Sequence, residues 1–291
     1  MNLDPVIDDN ASEPGKALSQ AKLRLGFHAD MGTTRLLDRW HCGPLRVQKA
    51  LYPEDGAVCH AIIVHPPGGV VGGDELAIDI KVAAEAHAVI TTPGAAKWYK
   101  SNGKRSKQNV QIELGTNARM EWLPQEAIFF NAAQVQLSQA ITLAKGARYL
   151  ACDILCFGRR ASGETFQTGR IAQHSTIHHD GKLIWFEQGA LTGGSDLMTS
   201  ALGLNGHSVC ATLIAVGATV PTQQLDALRQ QANLVVEGGA SFGVTQLKGV
   251  IVARYLGDAS ETARTLMLLA WRHLRPAVMQ REAIELRIWN T

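Results

Sequence analysis

His65-Pro66-Pro67-Gly68-Gly69-Val70-Val71-Gly72-Gly73-Asp74 is the stretch on which the reading of this chain turns. Two prolines and four glycines stand between two apolar segments and close on one carboxylate. Glycine doublets serve where the backbone takes φ > 0 or approaches another group too closely for a Cβ. Proline fixes φ and removes a backbone donor. Val58–Val64 comes before the run and Glu75–Val82 after it. The second segment alternates, with Leu76, Ile78, Ile80 and Val82 on one face and Ala77, Asp79 and Lys81 on the other, as a strand does. The run is either a plain long hairpin loop or a shaped connection between strands. It is no phosphate cradle: the glycine spacing fits neither nucleotide fingerprint, no Lys-Ser/Thr closes it, and a strand follows.

Outward from this run, residues 22 to 216 repeat one layout. Short apolar segments are broken every ten or so residues by Gly, Pro, Asn or Asp. Gly115-Thr116-Asn117, Lys145-Gly146 and Asp180-Gly181 stand where hairpin turns would close. Two segments read as helices. One runs from Pro221 to about Leu234, with proline in its opening turn. The other runs from Ser260, a candidate N-cap, to about Leu274, where Pro276 ends it. Its stripe of Ala263, Leu266, Met267, Ala270, Trp271 and Leu274 faces a core. Neither an internal repeat nor a linker is visible. The expectation is a mostly β chain: a single large domain over 21–291, built of many short antiparallel strands with two α-helices toward the C-terminus. It follows a mobile, acidic N-terminal tail over 1–20.

Composition narrows the function. With 46% hydrophobic residues the chain can fill a substantial core. Its 28 basic and 26 acidic residues nearly balance, and the basic ones form no stripe, so nucleic acid is excluded as a partner. The densest basic group, Lys97, Lys100, Lys104, Arg105 and Lys107, surrounds a Ser101-Asn102-Gly103 turn and reads as a solvated loop tip. Five unclustered cysteines fit thiols in a reducing compartment. No leader peptide and no apolar run long enough to span a bilayer is visible, so a cytoplasmic chain without membrane contact is expected.

Two carboxylates sit in segments apolar on both faces: Asp153 in Ala151–Phe157 and Glu187 in Leu183–Gln188. Both are expected away from bulk water, where an ionised carboxylate needs a hydrogen bond, an ion pair or a bound cation. Loop amides or an arginine such as Arg159 would satisfy them structurally. Alternatively, Asp74, Asp153 and Glu187 together line an internal water-filled passage for a divalent ion. His174-x-x-x-His178-His179 has metal-like spacing, from which a metal-dependent hydrolase is the competing reading. Two or three histidines beside an Asp-Gly turn fit a surface rim equally well. His60, His65 and His87 read as hydrogen-bonded core residues, His65 standing out because it opens the glycine run. Cys152 and Cys156 share a strand face too far apart for one metal ion. No nucleophile elbow is present. Trp98-Tyr99 and Phe129-Phe130 are either core or anchors for a protein partner.

Further segments follow the glycine run in order: Ile90-Thr91-Thr92-Pro93-Gly94-Ala95-Ala96-Lys97-Trp98-Tyr99, Glu121-Trp122-Leu123-Pro124-Gln125-Glu126, Asp153–Arg159, Gly163-Glu164-Thr165-Phe166, Leu274-Arg275-Pro276 and Arg287–Thr291. In that order and spacing the chain resembles the urease accessory protein UreD (UreH) family from about Leu23 to Thr291. The resemblance implies a β-rich fold with two helices and a non-catalytic chaperone that helps insert nickel into urease. It implies a UreF-type accessory protein, a UreG-type GTPase and the urease apoprotein as partners, with GTP hydrolysis in the partner. No cofactor stays bound; Ni2+ passes in transit, and an internal tunnel would place Asp74, Asp153 and Glu187 as transient oxygen ligands. Such donors suit an ion that must also leave, since thiolate and imidazole clusters hold nickel harder. Ala96 departs from the Ser or Thr that family members often carry there, so any hydroxyl on the path would be replaced by water or backbone.

Overall fold

The computed structural model describes residues 20–290. The expected tail, apart from Gln20, lies outside the described residues. The strands in chain order are β1 (Gln20–Asp30), β2 (Thr33–Cys42), β3 (Arg46–Val47), β4 (Val58–Val64), β5 (Glu75–Val82), β6 (His87–Thr91), β7 (Ala96–Trp98), β8 (Ser106–Leu114) and β9 (Arg119–Leu123). They continue with β10 (Ala127–Phe129), β11 (Gln134–Leu143), β12 (Arg148–Phe157), β13 (Arg170–His179), β14 (Lys182–Thr192), β15 (Val209–Val216), β16 (Ser241–Leu247) and β17 (Val250–Gly257). The helices are α1 (Asp196–Thr199), α2 (Thr222–Asn233) and α3 (Ser260–Met279).

Two sheets face each other. The first runs β14-β13-β11-β8-β5-β1-β2 and the second β16-β17-β15-β12-β9-β6-β4-β3. From β4 to β13 the chain crosses repeatedly between them, and each strand lies parallel to its counterpart one turn on. The middle of the molecule is therefore a coil. Register partners on successive turns lie 29 (Val58 to His87), 32 (His87 to Arg119) and 29 (Arg119 to Arg148) residues apart. The strand-rich body with helices late in the chain is as the sequence implies, but the antiparallel pairing holds only outside this coil. Of the three turns read as hairpins, Asp180-Gly181 alone closes one, between β13 and β14. Gly115-Thr116-Asn117 and Lys145-Gly146 instead turn corners between sheets. Apolar alternation marks which face is buried and says nothing of strand direction.

The corners carry a repeat that the sequence reading missed. Val82-Ala83-Ala84-Glu85-Ala86-His87, Leu114-Gly115-Thr116-Asn117-Ala118-Arg119 and Leu143-Ala144-Lys145-Gly146-Ala147-Arg148 share one form. The fourth residue has positive φ: 63° at Glu85, 57° at Asn117 and 73° at Gly146. The fifth is a fully buried alanine whose N–H returns to the second residue's carbonyl, at 3.2, 3.1 and 3.0 Å. Corners also stack: Glu85 N donates to Thr116 O and Asn117 N to Lys145 O, both at 3.1 Å. A left-handed residue other than glycine costs about 1–2 kcal/mol. The Asn117 Nδ2 bond to Glu85 Oε1, 2.6 Å, offsets part of that.

On the long side of each turn, Val70, β7, β10 and the end of β12 form a narrow third wall. Inside it, Trp98 stacks on Phe129 at 6.2 Å and Phe129 on Phe157 at 5.7 Å. Trp98 and Phe129 are thus core. Tyr99 and Phe130, half-buried, meet edge-to-face at 4.9 Å outside it. The glycine run is the first such long side. A Cβ on Gly69 would strike the Tyr99 ring at 2.3 Å, and one on Gly72 would strike Asn102 Oδ1 at 2.4 Å.

Beyond β12 the second sheet continues antiparallel through β15, β17 and β16. Its outer face is covered by α2 and α3, with Leu225, Leu228, Leu266, Trp271 and Leu274 buried against Leu150, Cys152 and Leu213. Each large side chain so buried contributes about 1.5–3 kcal/mol. Ala259, not Ser260, is the N-cap of α3, and the helix runs past Pro276 to Met279 before Gln280 turns left-handed at φ 57°. A proline so near the end removes a single helical bond. The four-residue α1 is a third helix beyond the two expected.

One buried charge fixes α3 to the coil. Glu121 on β9 and Arg275 on α3 are both 0% exposed. Arg275 Nε reaches Glu121 Oε1 and Oε2 at 3.1 and 3.0 Å, Trp271 Nε1 donates to Oε2 at 2.6 Å, and His87 Nε2 lies 2.9 Å from Oε1. Arg275 Nη2 also donates to Glu54 Oε1 at 2.6 Å, which meets His60 Nε2 at 2.9 Å. His60 and His87 are therefore hydrogen-bonded core residues, as their positions implied. Burial alone would raise the Glu121 carboxyl, but His87 and Arg275 bring it down to about 2. A depressed folded-state value adds stability that is complete above the unfolded carboxyl's 4.5 and disappears as pH falls through about 2. Glu121→Gln is expected to cost about 3 kcal/mol at pH 7 by urea unfolding, since Arg275 keeps Glu54 but loses the fully buried carboxylate beside it. The deficit should shrink toward zero as the pH approaches 2.

Candidate functional site

The interior of the coil is apolar at one end and polar in the middle, and the rungs show why. Ile80, Ile112, Ile141 and Ile177 pair in one row across β5, β8, β11 and β13. Two residues nearer the glycine run the row is Ile78, Val110, Gln139 and Ser175, and two further it is Leu76, Gln108, Leu137 and Gln173. Three glutamines thus occupy positions that alternation assigns to the core. Across from them β12 points Tyr149, Ala151, Leu155 and Phe157 between the sheets, and Leu150, Cys152, Ile154 and Cys156 toward the helices. Asp153 belongs to the first set, and Gln139 Nε2 donates to its Oδ2 at 3.1 Å.

Two cavities meet at this contact. The first, of about 410 Å³, extends toward the glycine run and the Pro93-Gly94-Ala95-Ala96 turn, and His65, Lys97 and Trp98 help to line it. The second, of about 690 Å³, extends toward β14 and β17 and is lined by Tyr149, His174, Glu187, Cys210 and Arg254 among others. Leu137, Gln139, Asp153, Leu155 and Gln173 line both. Burial pushes the Asp153 carboxyl up to about 6; the Gln139 bond opposes the shift and the Glu187 charge adds to it. Burial lowers the His65 imidazole against the pull of Asp74, favouring its neutral form. Tyr149 Oη and Trp98 Nε1 have no protein partner. Buried polar atoms on a cavity wall call for a polar occupant such as water.

The three carboxylates singled out from sequence are therefore not equivalent. Asp153 and Glu187 share the second cavity. Asp74, 8% exposed, lies on neither lining; its Oδ2 accepts the Val71 N–H at 3.0 Å and closes its own turn. Glu187 is not withdrawn from water as expected. It is half-buried on edge strand β14 and takes a bond from Arg254 Nη2 at 2.7 Å. His174 is exposed and packs edge-to-face on Phe186 at 5.6 Å. Among the described residues no three His, Cys, Asp or Glu side chains gather so as to hold a metal ion, which leaves the hydrolase reading of His174, His178 and His179 without its site. The five cysteines are free thiols, and burial pushes Cys156 and Cys210 up to about 12. No described helix is long and apolar enough to cross a membrane.

Sequence reading missed Gln108, Gln139, Gln173, Tyr149 and Arg254. The glutamines had a signal: Gln139 falls in the apolar phase of Val135-x-Leu137-x-Gln139-x-Ile141-x-Leu143. Arg254 had none, because its partner lies 67 residues away. Raising the carboxyl above its ordinary 3.8 means that the folded state favours the protonated form. That contribution is complete below pH 3.8 and is lost as pH rises through about 6. Asp153→Asn is accordingly expected to stabilise the chain by about 2 kcal/mol at pH 7.5. Thermal unfolding should show the gain vanishing near pH 4.

The chain matches the family described as UreD urease accessory protein over residues 19–290. It is 59% identical over 272 residues to the urease accessory protein UreD of Janthinobacterium sp. (strain Marseille), covering 94% of this chain and 92% of that one. It is 50% identical over 272 residues to the UreD of Nitrosospira multiformis, covering 94% and 98%. With matches of this length and identity around a body whose core, corners and buried charges all lie within the matched span, the chain belongs to the UreD urease accessory protein family.

Proposed function

We propose that this chain, within its family's role in urease maturation, passes Ni2+ toward the urease apoprotein through its two adjoining cavities, with Asp153 at their junction. The observation that carries the reading is the shared lining. Asp153, Gln139 and Gln173 bound both cavities, so one carboxylate faces both halves of the path. Carboxylate and amide oxygens bind Ni2+ weakly enough to release it, whereas a closed histidine or thiolate set would retain it. The Asp153 carboxylate fits the same role, because a buried charge that burial disfavours gains from an arriving cation. Glu187, which lines the larger cavity with Asp153 and acts on its charge, is the second oxygen donor. Asp74 serves by holding the glycine run that walls the smaller one. The chain performs no catalysis in this scheme. It works in the cytoplasm in an assembly with a UreF-type protein, a UreG-type GTPase that supplies hydrolysis, and apo-urease.

The test is co-expression with apo-urease and those partners. Asp153→Ala should lower the nickel content and activity of urease several-fold while co-purification of the complex is unchanged. Normal loading by a folded Asp153→Ala/Gln139→Ala chain would end the reading.

A further inference from the structure

The second cavity reaches solvent at an ion pair that joins the two sheets across their open edge. Glu187 comes from β14, the last strand of the first sheet, and Arg254 from β17, next to the last of the second. They are 43% and 55% exposed. Register places Arg254 opposite Thr212, which is itself opposite Asp153. One row of the second sheet thus runs from the junction carboxylate to the arginine at the mouth. Among the described residues lining this cavity, Arg254 is the one permanent cation.

We infer that Arg254 is a tethered counter-cation, which occupies Glu187 while the cavity is empty of metal and yields that carboxylate to a passing divalent ion. The inference rests on the passage reading above. A half-exposed ion pair is held weakly and is screened by water, so exchange is easy. A doubly charged ion gains more from Glu187 and Asp153 together than a guanidinium gains from Glu187 alone. The side chain also has somewhere to go. Arg254 also borders an adjoining apolar groove of about 460 Å³ formed with Trp185, Leu247 and Val252, which shares Gly243 with the cavity. A Cβ built on Gly243 would meet nothing within 4 Å, so the groove is unobstructed there. A guanidinium is suited to such a seat because its flat face packs on an indole. The pair therefore keeps Glu187 satisfied at rest and discriminates by charge at the mouth.

Equilibrium dialysis of the full-length chain against Ni2+ alone tests this. Arg254→Met, which removes the competitor, should tighten uptake about two- to five-fold, and Arg254→Lys should stay near wild type. Trp185→Ala, which removes the indole of the second seat and leaves the passage lining intact, should weaken uptake in the wild-type background and have no effect beside Arg254→Met. Unchanged uptake in Arg254→Met, with Asp153→Asn weakened, would overturn the gate and leave the passage standing. Unchanged uptake in Asp153→Asn as well would remove both. If Arg254→Met does not fold, Trp185→Ala decides: uptake equal to wild type would reject the gate.

Discussion

The Glu121 carboxylate is the point on which the arrangement depends. It sits on an inner strand and is reached by His87 from the neighbouring strand and by Trp271 and Arg275 from the last helix. Buried ion pairs repay their desolvation poorly, so the worth of this one lies in specification. Trp271 and Arg275 are one helical turn apart, and a single rotation and height of α3 brings both to the same carboxylate. The helix so fixed covers the outer face of the second sheet. With Leu150, Cys152, Ile154 and Cys156 held against it, the alternate residues of β12 can only face inward, Asp153 among them. The same interaction that anchors the helix thereby aims the carboxylate at the junction.

The two ends of the coil divide the labour. Tight corners with buried alanines draw the sheets together beside an isoleucine row that excludes water. The long sides, with their glycines and stacked aromatics, hold the other end apart, and there the inward positions become glutamine, serine and aspartate. A parallel coil makes this division simple, because each strand contributes the same depth of interior as its neighbours. One class of residue at one depth then forms a continuous stripe.

Much of the fold was legible in the chain. Alternation in Glu75–Val82 gave a strand and its faces, the stripe from Ala263 to Leu274 gave the helix, and the glycine run gave a connection of fixed shape. Strand direction was not legible, because a corner and a hairpin use the same residues, as Asn117, Gly146 and Gly181 show. The repeat escaped notice because its three copies share only an apolar residue, an alanine and a basic neighbour. Asp153 could be picked out because an acid among Ala, Cys, Ile, Leu and Phe is costly wherever it sits. Glu187 looked alike in sequence, but its strand lies at a sheet edge, and edge position is a property of topology.

The distance along the chain between Glu121 and Arg275, 154 residues, has a consequence for synthesis. A ribosome delivers the coil strand by strand, but the helix that neutralises its inner carboxylate emerges only after every strand. Until then the outer face of the second sheet has α2 at most for cover, and the apolar residues that α3 will bury stand open to association. Parallel strands about thirty residues apart also close slowly. A nascent chain of this design passes through a vulnerable interval in which the coil is made and the helix that locks it is still to come.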